Sequence, residues 1–195
     1  GGQTGTNAVV VVSTTPVYTV TAGGSSGCLT TNTVAVNILQ TPTISITGNN
    51  TICLGTNAIE TASGASTYLW SDGTNGSVAT LSPTLNTVYT VTGTAVNSCT
   101  NTQTVSIFVN PNPTVTAISS QSAICFGETV TLTASGASTY SWLTLGGTPS
   151  IAPSPTITTT YSVTGSDTNL CTTTQTVLVT VNPLPAMTAT STRSL

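Results

Sequence analysis

Histidine and lysine are absent from this 195-residue chain, and its one basic side chain is Arg193. Without histidine there is no Cys-His pair, and a serine nucleophile lacks its usual base, so the common hydrolytic constellations are excluded. Without a basic patch, nucleic acid is not an expected partner. The acids are as scarce: Glu60, Asp72, Glu128 and Asp167 complete a charged fraction of 3% and a formal net charge of −3. They occupy unlike places in the sequence pattern, so no recurrent carboxylate cage for calcium is drawn, and all four are expected to be solvated loop acids. Cysteine is the only soft ligand left, and no CxxC pair occurs, so no metal site is expected. No stretch carries a helical period, no targeting peptide is visible, and the apolar run Ala8–Val12 is far too short to span a bilayer. These absences leave no expected cofactor and no expected enzyme.

What is present is threonine, about a quarter of all residues, alternating with valine and isoleucine. β-Branched side chains suit a pleated, half-buried surface, so the expected class is all-β. The chain also repeats itself. Thr61-Ala62-Ser63-Gly64-Ala65-Ser66-Thr67-Tyr68-Leu69-Trp70 returns as Thr133-Ala134-Ser135-Gly136-Ala137-Ser138-Thr139-Tyr140-Ser141-Trp142, 72 residues later and changed at one position. Cys53 to Cys125, Tyr89 to Tyr161 and Cys99 to Cys171 keep that displacement, while Tyr18 to Tyr89 and Cys28 to Cys99 are 71 apart.

This register divides the chain into residues 1–41, the C-terminal part of one copy; 42–112 and 113–184, two whole copies; and 185–195, the first strand of a following one. On that division the sequence is a window onto a longer array. Strands are expected at Ala8–Val12, Val17–Thr21 and Leu29–Ile38, then at 43–47, 57–63, 67–71, 77–82, 87–94 and 100–109, and again at 114–119, 129–135, 139–143, 148–152, 159–166 and 171–181. Asn110-Pro111-Asn112-Pro113 and Asn182-Pro183-Leu184-Pro185 read as linkers whose prolines restrict the angle between neighbours. A unit of about 70 residues is near the lower limit for an independent core, so aromatic plugs or cross-links should help it. Trp70, Trp142, Tyr89 and Tyr161 are the expected core aromatics. Tyr68 and Tyr140 share a strand face with the tryptophans and are read as core in preference to a sugar-stacking platform.

A strand, a turn and Trp, then Ser-Pro, then Thr-Val-Tyr-x-Val resembles an immunoglobulin-like sandwich with Trp on its third strand and a tyrosine corner at Tyr89 and Tyr161. More narrowly, Ile-Cys-x-Gly, Thr-Ala-Ser-Gly-Ala-Ser-Thr-Tyr-x-Trp, Tyr-Thr-Val-Thr-Gly-Thr and Asn-Pro-x-Pro resemble the tandem immunoglobulin-like or PKD-like repeats of giant secreted surface proteins of Bacteroidota. The resemblance implies tandem immunoglobulin-like β-sandwich domains, the first copy incomplete. It implies export, by the type IX route, to an extracellular or cell-surface place, and it carries over no catalytic residue. One departure stands out: Val91 and Val163 occupy the place of the antibody-domain cysteine, two residues after each tyrosine.

The cysteines lie elsewhere, and their regular places fit an oxidising compartment. Cys53 and Cys125 precede the second strand of their copies, whereas Cys28, Cys99 and Cys171 lie at the last hairpin. Equal spacing favours Cys53–Cys99 and Cys125–Cys171 within copies. Sandwich topology puts those positions at opposite ends, on the order of 20–25 Å apart, and so favours Cys53–Cys171 between stacked copies. Free thiols are the third possibility. Asn49-Asn50-Thr51 and Asn75-Gly76-Ser77 fit the N-glycosylation pattern, and exposed threonine rows could carry O-linked sugar.

Three functions stay open at this point. The first is a structural segment of an extracellular fibre or stalk, whose partners are copies of itself or neighbouring repeats. The second is an adhesin spacer used in attachment or gliding. The third is a glycan-binding module of a secreted enzyme.

Overall fold

The computed structural model describes residues 5, 7, 9–143 and 145–189, and among them there is no helix. The chain divides into two compact units, one of Gly1–Gly48, Glu60–Ala79 and Tyr89–Val105, the other of Asn49–Ile59, Thr80–Val88 and Ser106–Leu195.

Strands β1 (Val17–Gly23) and β2 (Leu29–Ala35) form an antiparallel hairpin whose side chains are nearly all exposed. Seven strands follow: β3 (Ser45–Gly48), β4 (Thr51–Cys53), β5 (Ala58–Ser63), β6 (Thr67–Trp70), β7 (Val78–Leu81), β8 (Thr87–Thr94) and β9 (Thr100–Asn110). They make a three-stranded sheet β3-β5-β7 and a four-stranded sheet β4-β9-β8-β6. The next seven are β10 (Thr116–Ser119), β11 (Ala123–Cys125), β12 (Leu132–Ser135), β13 (Thr139–Trp142), β14 (Ser150–Ile151), β15 (Thr159–Ser166) and β16 (Thr172–Asn182). Their sheets, β10-β12-β14 and β11-β16-β15-β13, reproduce the first pair strand for strand. The architecture is therefore all-β, with immunoglobulin-like sandwiches in tandem and a two-stranded piece of the same motif before them.

In the last sandwich both sheets feed one core. Val115, Ile124, Val130, Leu132, Ala134, Trp142, Val163 and Val179 are all buried there, with Tyr140 and Tyr161 half-buried against them. Trp142 is registered opposite Val163, and Trp70 opposite Val91, so valine stands beside tryptophan where an antibody domain would put sulfur. The strand-turn-strand stretch that repeats almost unchanged does so for visible reasons. Gly64 and Gly136 sit at φ +98° and +92°, and a Cβ on either would collide with the carbonyl of Thr43 or Thr114. The next residue is tied twice to a tyrosine: the Ala137 N–H donates to Tyr140 Oη (2.9 Å), whose hydroxyl donates back to the Ala137 carbonyl (3.0 Å). Ala65 and Tyr68 do the same at 2.7 and 3.0 Å. Two residues on, the indole N–H of each tryptophan donates to a backbone carbonyl, of Gly76 or Thr148, at 3.1 Å. The ring is buried and its one polar atom is satisfied.

Three expectations are corrected. The run Ala8–Val12 is not a strand: Val9 to Val12 are irregular, and Val9 and Val11 are 85% and 100% exposed; Ala8 lies outside the described residues. An apolar run signals burial only if strands exist to cover it. β4 and β11, each of three residues, were not expected at all; they pair parallel to the ends of β9 and β16. The segment 185–189 has no strand, and 190–195, with Arg193, lie outside the described residues.

Removing the Tyr140 hydroxyl should strand both polar groups of Ala137. Tyr140→Phe is expected to cost about 1–3 kcal/mol, read as a lower denaturation midpoint with an unchanged slope in urea; an unshifted midpoint would contradict this account.

Candidate functional site: the cysteine junction

The three hairpins that carry Cys28, Cys99 and Cys171 have one geometry. Each closes with a backbone N–H bonded to the cysteine carbonyl, from Gly24 (2.9 Å), Ala95 (2.9 Å) and Asp167 (3.0 Å). Each also places the residue before the cysteine at positive φ: Gly27 at 81°, Ser98 and Leu170 at 65°. Side chains reinforce the last two turns, since Asn97 Oδ1 accepts from the Cys99 N–H (3.1 Å) and Asp167 Oδ1 from the Cys171 N–H (2.8 Å).

The other two cysteines are likewise a matched pair. Cys53 ends β4 opposite Asn110, and Cys125 ends β11 opposite Asn182. The next residue bonds back to the same asparagine, Leu54 N–H to Asn110 O at 2.9 Å and Phe126 N–H to Asn182 O at 3.1 Å. A glycine at positive φ then turns the chain, Gly55 at 88° and Gly127 at 78°. The parallel ladder is what fixes the cysteine at the end of the last strand of its sheet, and no alternation in three residues announces it.

One member of each set is joined. Cys53 and Cys171 form a disulfide with an S–S distance of 1.94 Å and a Cα–Cα distance of 5.5 Å, spanning 118 residues. Cys171 is fully buried. Cys28, Cys99 and Cys125 are free, the first and last exposed and Cys99 half-buried. Intra-copy pairing of Cys53 with Cys99 or of Cys125 with Cys171 is therefore absent.

Of the acids, Glu60 is a correction. It is not a solvated loop residue: on β5 it alternates inward with Ala58 and Ala62 and is 1% exposed, with Oε1 lacking a hydrogen-bond partner. The signal was in the register, because Glu60 falls where the other copy has the core residue Leu132. Burial raises its pKa above the ordinary carboxyl value. Burial likewise pushes the Tyr161 phenol up. Asp72 is engaged within its own loop by Thr74 (2.8 and 3.0 Å), and Glu128 accepts from the Cys125 N–H at 2.9 Å. Among the described residues no three His, Cys, Asp or Glu side chains converge as a metal site would require.

Trp70 and Trp142 are 1% and 2% exposed, so neither offers a face to a sugar. An open hollow of about 380 Å³ lies beside Tyr68, lined also by Ser66, Thr67, Asn75, Gly76 and Ser77. No helix among the described residues is long and apolar enough to cross a membrane.

No protein-family model matches the chain, and no curated protein matches it. Solved structures that it is similar to include murine CEACAM1b, at 13% identity and a TM-score of 0.34 over 72% of this chain and 100% of that one. An amphioxus IgVJ-C2 molecule is 16% identical, with a TM-score of 0.31, over 67% and 99%. A Ca²⁺-stabilized adhesin with which an Antarctic bacterium binds ice is 15% identical, with a TM-score of 0.35, over 87% of this chain and 57% of that one.

Two measurements follow. Because folded Glu60 holds its proton more tightly than the unfolded chain does, stability should be fully present below about pH 4.5 and fall as pH rises through the elevated folded value. Glu60→Leu should remove that slope and stabilise the fold at both pH values, because it also removes the unpartnered Oε1, with the larger gain at pH 7; denaturant titrations at pH 4 and pH 7 check it. Replacing both Cys53 and Cys171 with Ala should cost about 2–4 kcal/mol and lower Tm in a scan, whereas Cys28→Ser should leave Tm unmoved.

Proposed function

We propose that the chain is a structural element of an extracellular fibre or surface stalk, built from repeated immunoglobulin-like sandwiches and without chemistry of its own. The observation that carries this reading is the Cys53–Cys171 bond. In the register of the repeat it joins a cysteine of residues 42–112 to one of residues 113–184, two successive copies. A disulfide so placed resists extension along the array and persists only in an oxidising compartment, which supports a place outside the cell. On this reading the copies 42–112 and 113–184 are the bricks, and the proline-bearing linkers restrict the angle between them.

In this proposal the protein is a secreted surface protein of the kind found in Bacteroidota, exported by the type IX route; its motif resemblance to those repeats supports the reading. Its partners are further copies of the repeat, and any glycan is covalent decoration on the threonine rows. An adhesin spacer for attachment or gliding is the second reading, favoured by the same tandem, cross-linked sandwiches. It differs in needing a binding tip.

Negative-stain imaging of the purified protein separates the two. Ordered filaments with a subunit repeat are the expected result, isolated strings favour the adhesin spacer, and compact monomers at high concentration overturn both.

A further inference from the structure

Two cysteine types recur in this chain, and the structure joins only one pair of them. The strand-end type, Cys53 and Cys125, is defined by a parallel ladder to the closing asparagine and a positive-φ glycine two residues on. The hairpin type, Cys28, Cys99 and Cys171, is defined by a turn with a positive-φ residue just before the cysteine. Cys53 with Cys171 demonstrates that a strand-end sulfur of one copy and a hairpin sulfur of another meet at bonding distance. Cys125 keeps the backbone geometry of Cys53 and is exposed, and Cys99 and Cys28 keep the backbone geometry of Cys171 and are free. The unjoined cysteines are thus one open strand-end position and two open hairpin positions of a junction whose closed form is already present.

We propose that Cys125 is a cross-linking site for a second copy of this chain, taking that copy's hairpin cysteine, Cys99 or Cys28, in the arrangement that Cys53 and Cys171 adopt. The inference rests on the reading that copies of this repeat assemble. A bond between two strand-end cysteines is not of this kind, because no such pair is joined in the chain. The chemistry is an ordinary oxidation by a low-molecular-weight disulfide. The Cys125 thiolate attacks one sulfur of oxidised glutathione and releases one glutathione thiol. The hairpin thiolate of the other copy then attacks the Cys125 sulfur and releases the second. Two protein thiols become one disulfide, and one glutathione disulfide becomes two thiols.

The test mixes ¹⁵N-labelled and unlabelled chains in a glutathione redox buffer, quenches with acid and maps the peptides without reduction. Pepsin is the suitable protease, since Arg193 is the only residue trypsin could cleave after. The expected result is a hybrid peptide, half labelled, linking Cys125 to Cys99 or Cys28, alongside a Cys53–Cys171 peptide that is never hybrid. Cys125→Ser should abolish the hybrid, and so should the Cys28→Ser, Cys99→Ser double variant. Both changes fall at sites outside the buried core, and retention of Cys53–Cys171 in the same digest verifies that the variants fold. Recovery of Cys125 only as a free or glutathione-capped thiol, or only as a Cys125–Cys125 link, overturns the proposal. Filaments with an unlinked Cys125 would sink the cross-link and leave the fibre reading intact; hybrid peptides without filaments would do the reverse.

Discussion

Each sandwich depends on seating one indole in a core with few other large side chains. In the last sandwich the largest buried residue is Trp142, and its neighbours in the cluster are valines, an isoleucine, a leucine and an alanine. So large a ring dominates the apolar area that such a core can withdraw from water, and that area is the main term opposing chain entropy. The requirement propagates outward. Val163 stands opposite the ring, and Gly165, opposite Tyr140, lets β15 come so close to Val115 and Ala137 that any Cβ there would clash. The strand that carries the ring is held by the Tyr140 hydroxyl, and the turn before it is possible only with glycine. These constraints run along ten consecutive residues, which is why those ten are copied almost without change while the rest of the repeat drifts.

That concentration of constraint decided what could be read beforehand. The long strands were legible from alternation: β8 and β15 run over the residues expected, β9 is one residue longer at its end, and β16 is shifted by one residue at both ends. The three-residue strands β4 and β11 were not, because a period of two needs more residues than that to show itself. Their existence depends on a parallel ladder to a strand more than fifty residues away. The junction shares this blind spot. Equal spacing of Cys53–Cys99 and Cys125–Cys171 argued for one pairing and strand topology for another; what places Cys53 beside the end of β9 is a ladder the residue pattern never displays. Glu60 is different: the alternation of β5 and Leu132 at the matching place in the other copy both mark its position as a core one, although a carboxyl side chain by itself signals solvent.

A bond that spans 118 residues would normally be valued for shrinking the unfolded ensemble. Here each sandwich has its own sheet pair, and the bond ties the end of β4 in one pair to the residue just before β16 in the other. Core packing and cross-linking are thus carried by different residues, the apolar cluster around Trp142 and the Cys53–Cys171 bond.

The scarcity of charge then acquires a physical meaning. Exposed hydroxyls on these sheets answer one another across strands: Ser45 with Ser63 and Thr116 with Ser135 at 2.7 Å, Thr164 with Thr174 at 2.8 Å, Thr133 with Ser150 at 2.9 Å. A hydroxyl already paired within its own sheet loses little when water is removed from it, while an ammonium or carboxylate would lose several kcal/mol even after finding a partner. A lysine-studded sheet is kept from its neighbours by that cost. A threonine-covered one is not. Surfaces of this composition therefore lose little when another neutral, hydroxyl-covered surface displaces their water.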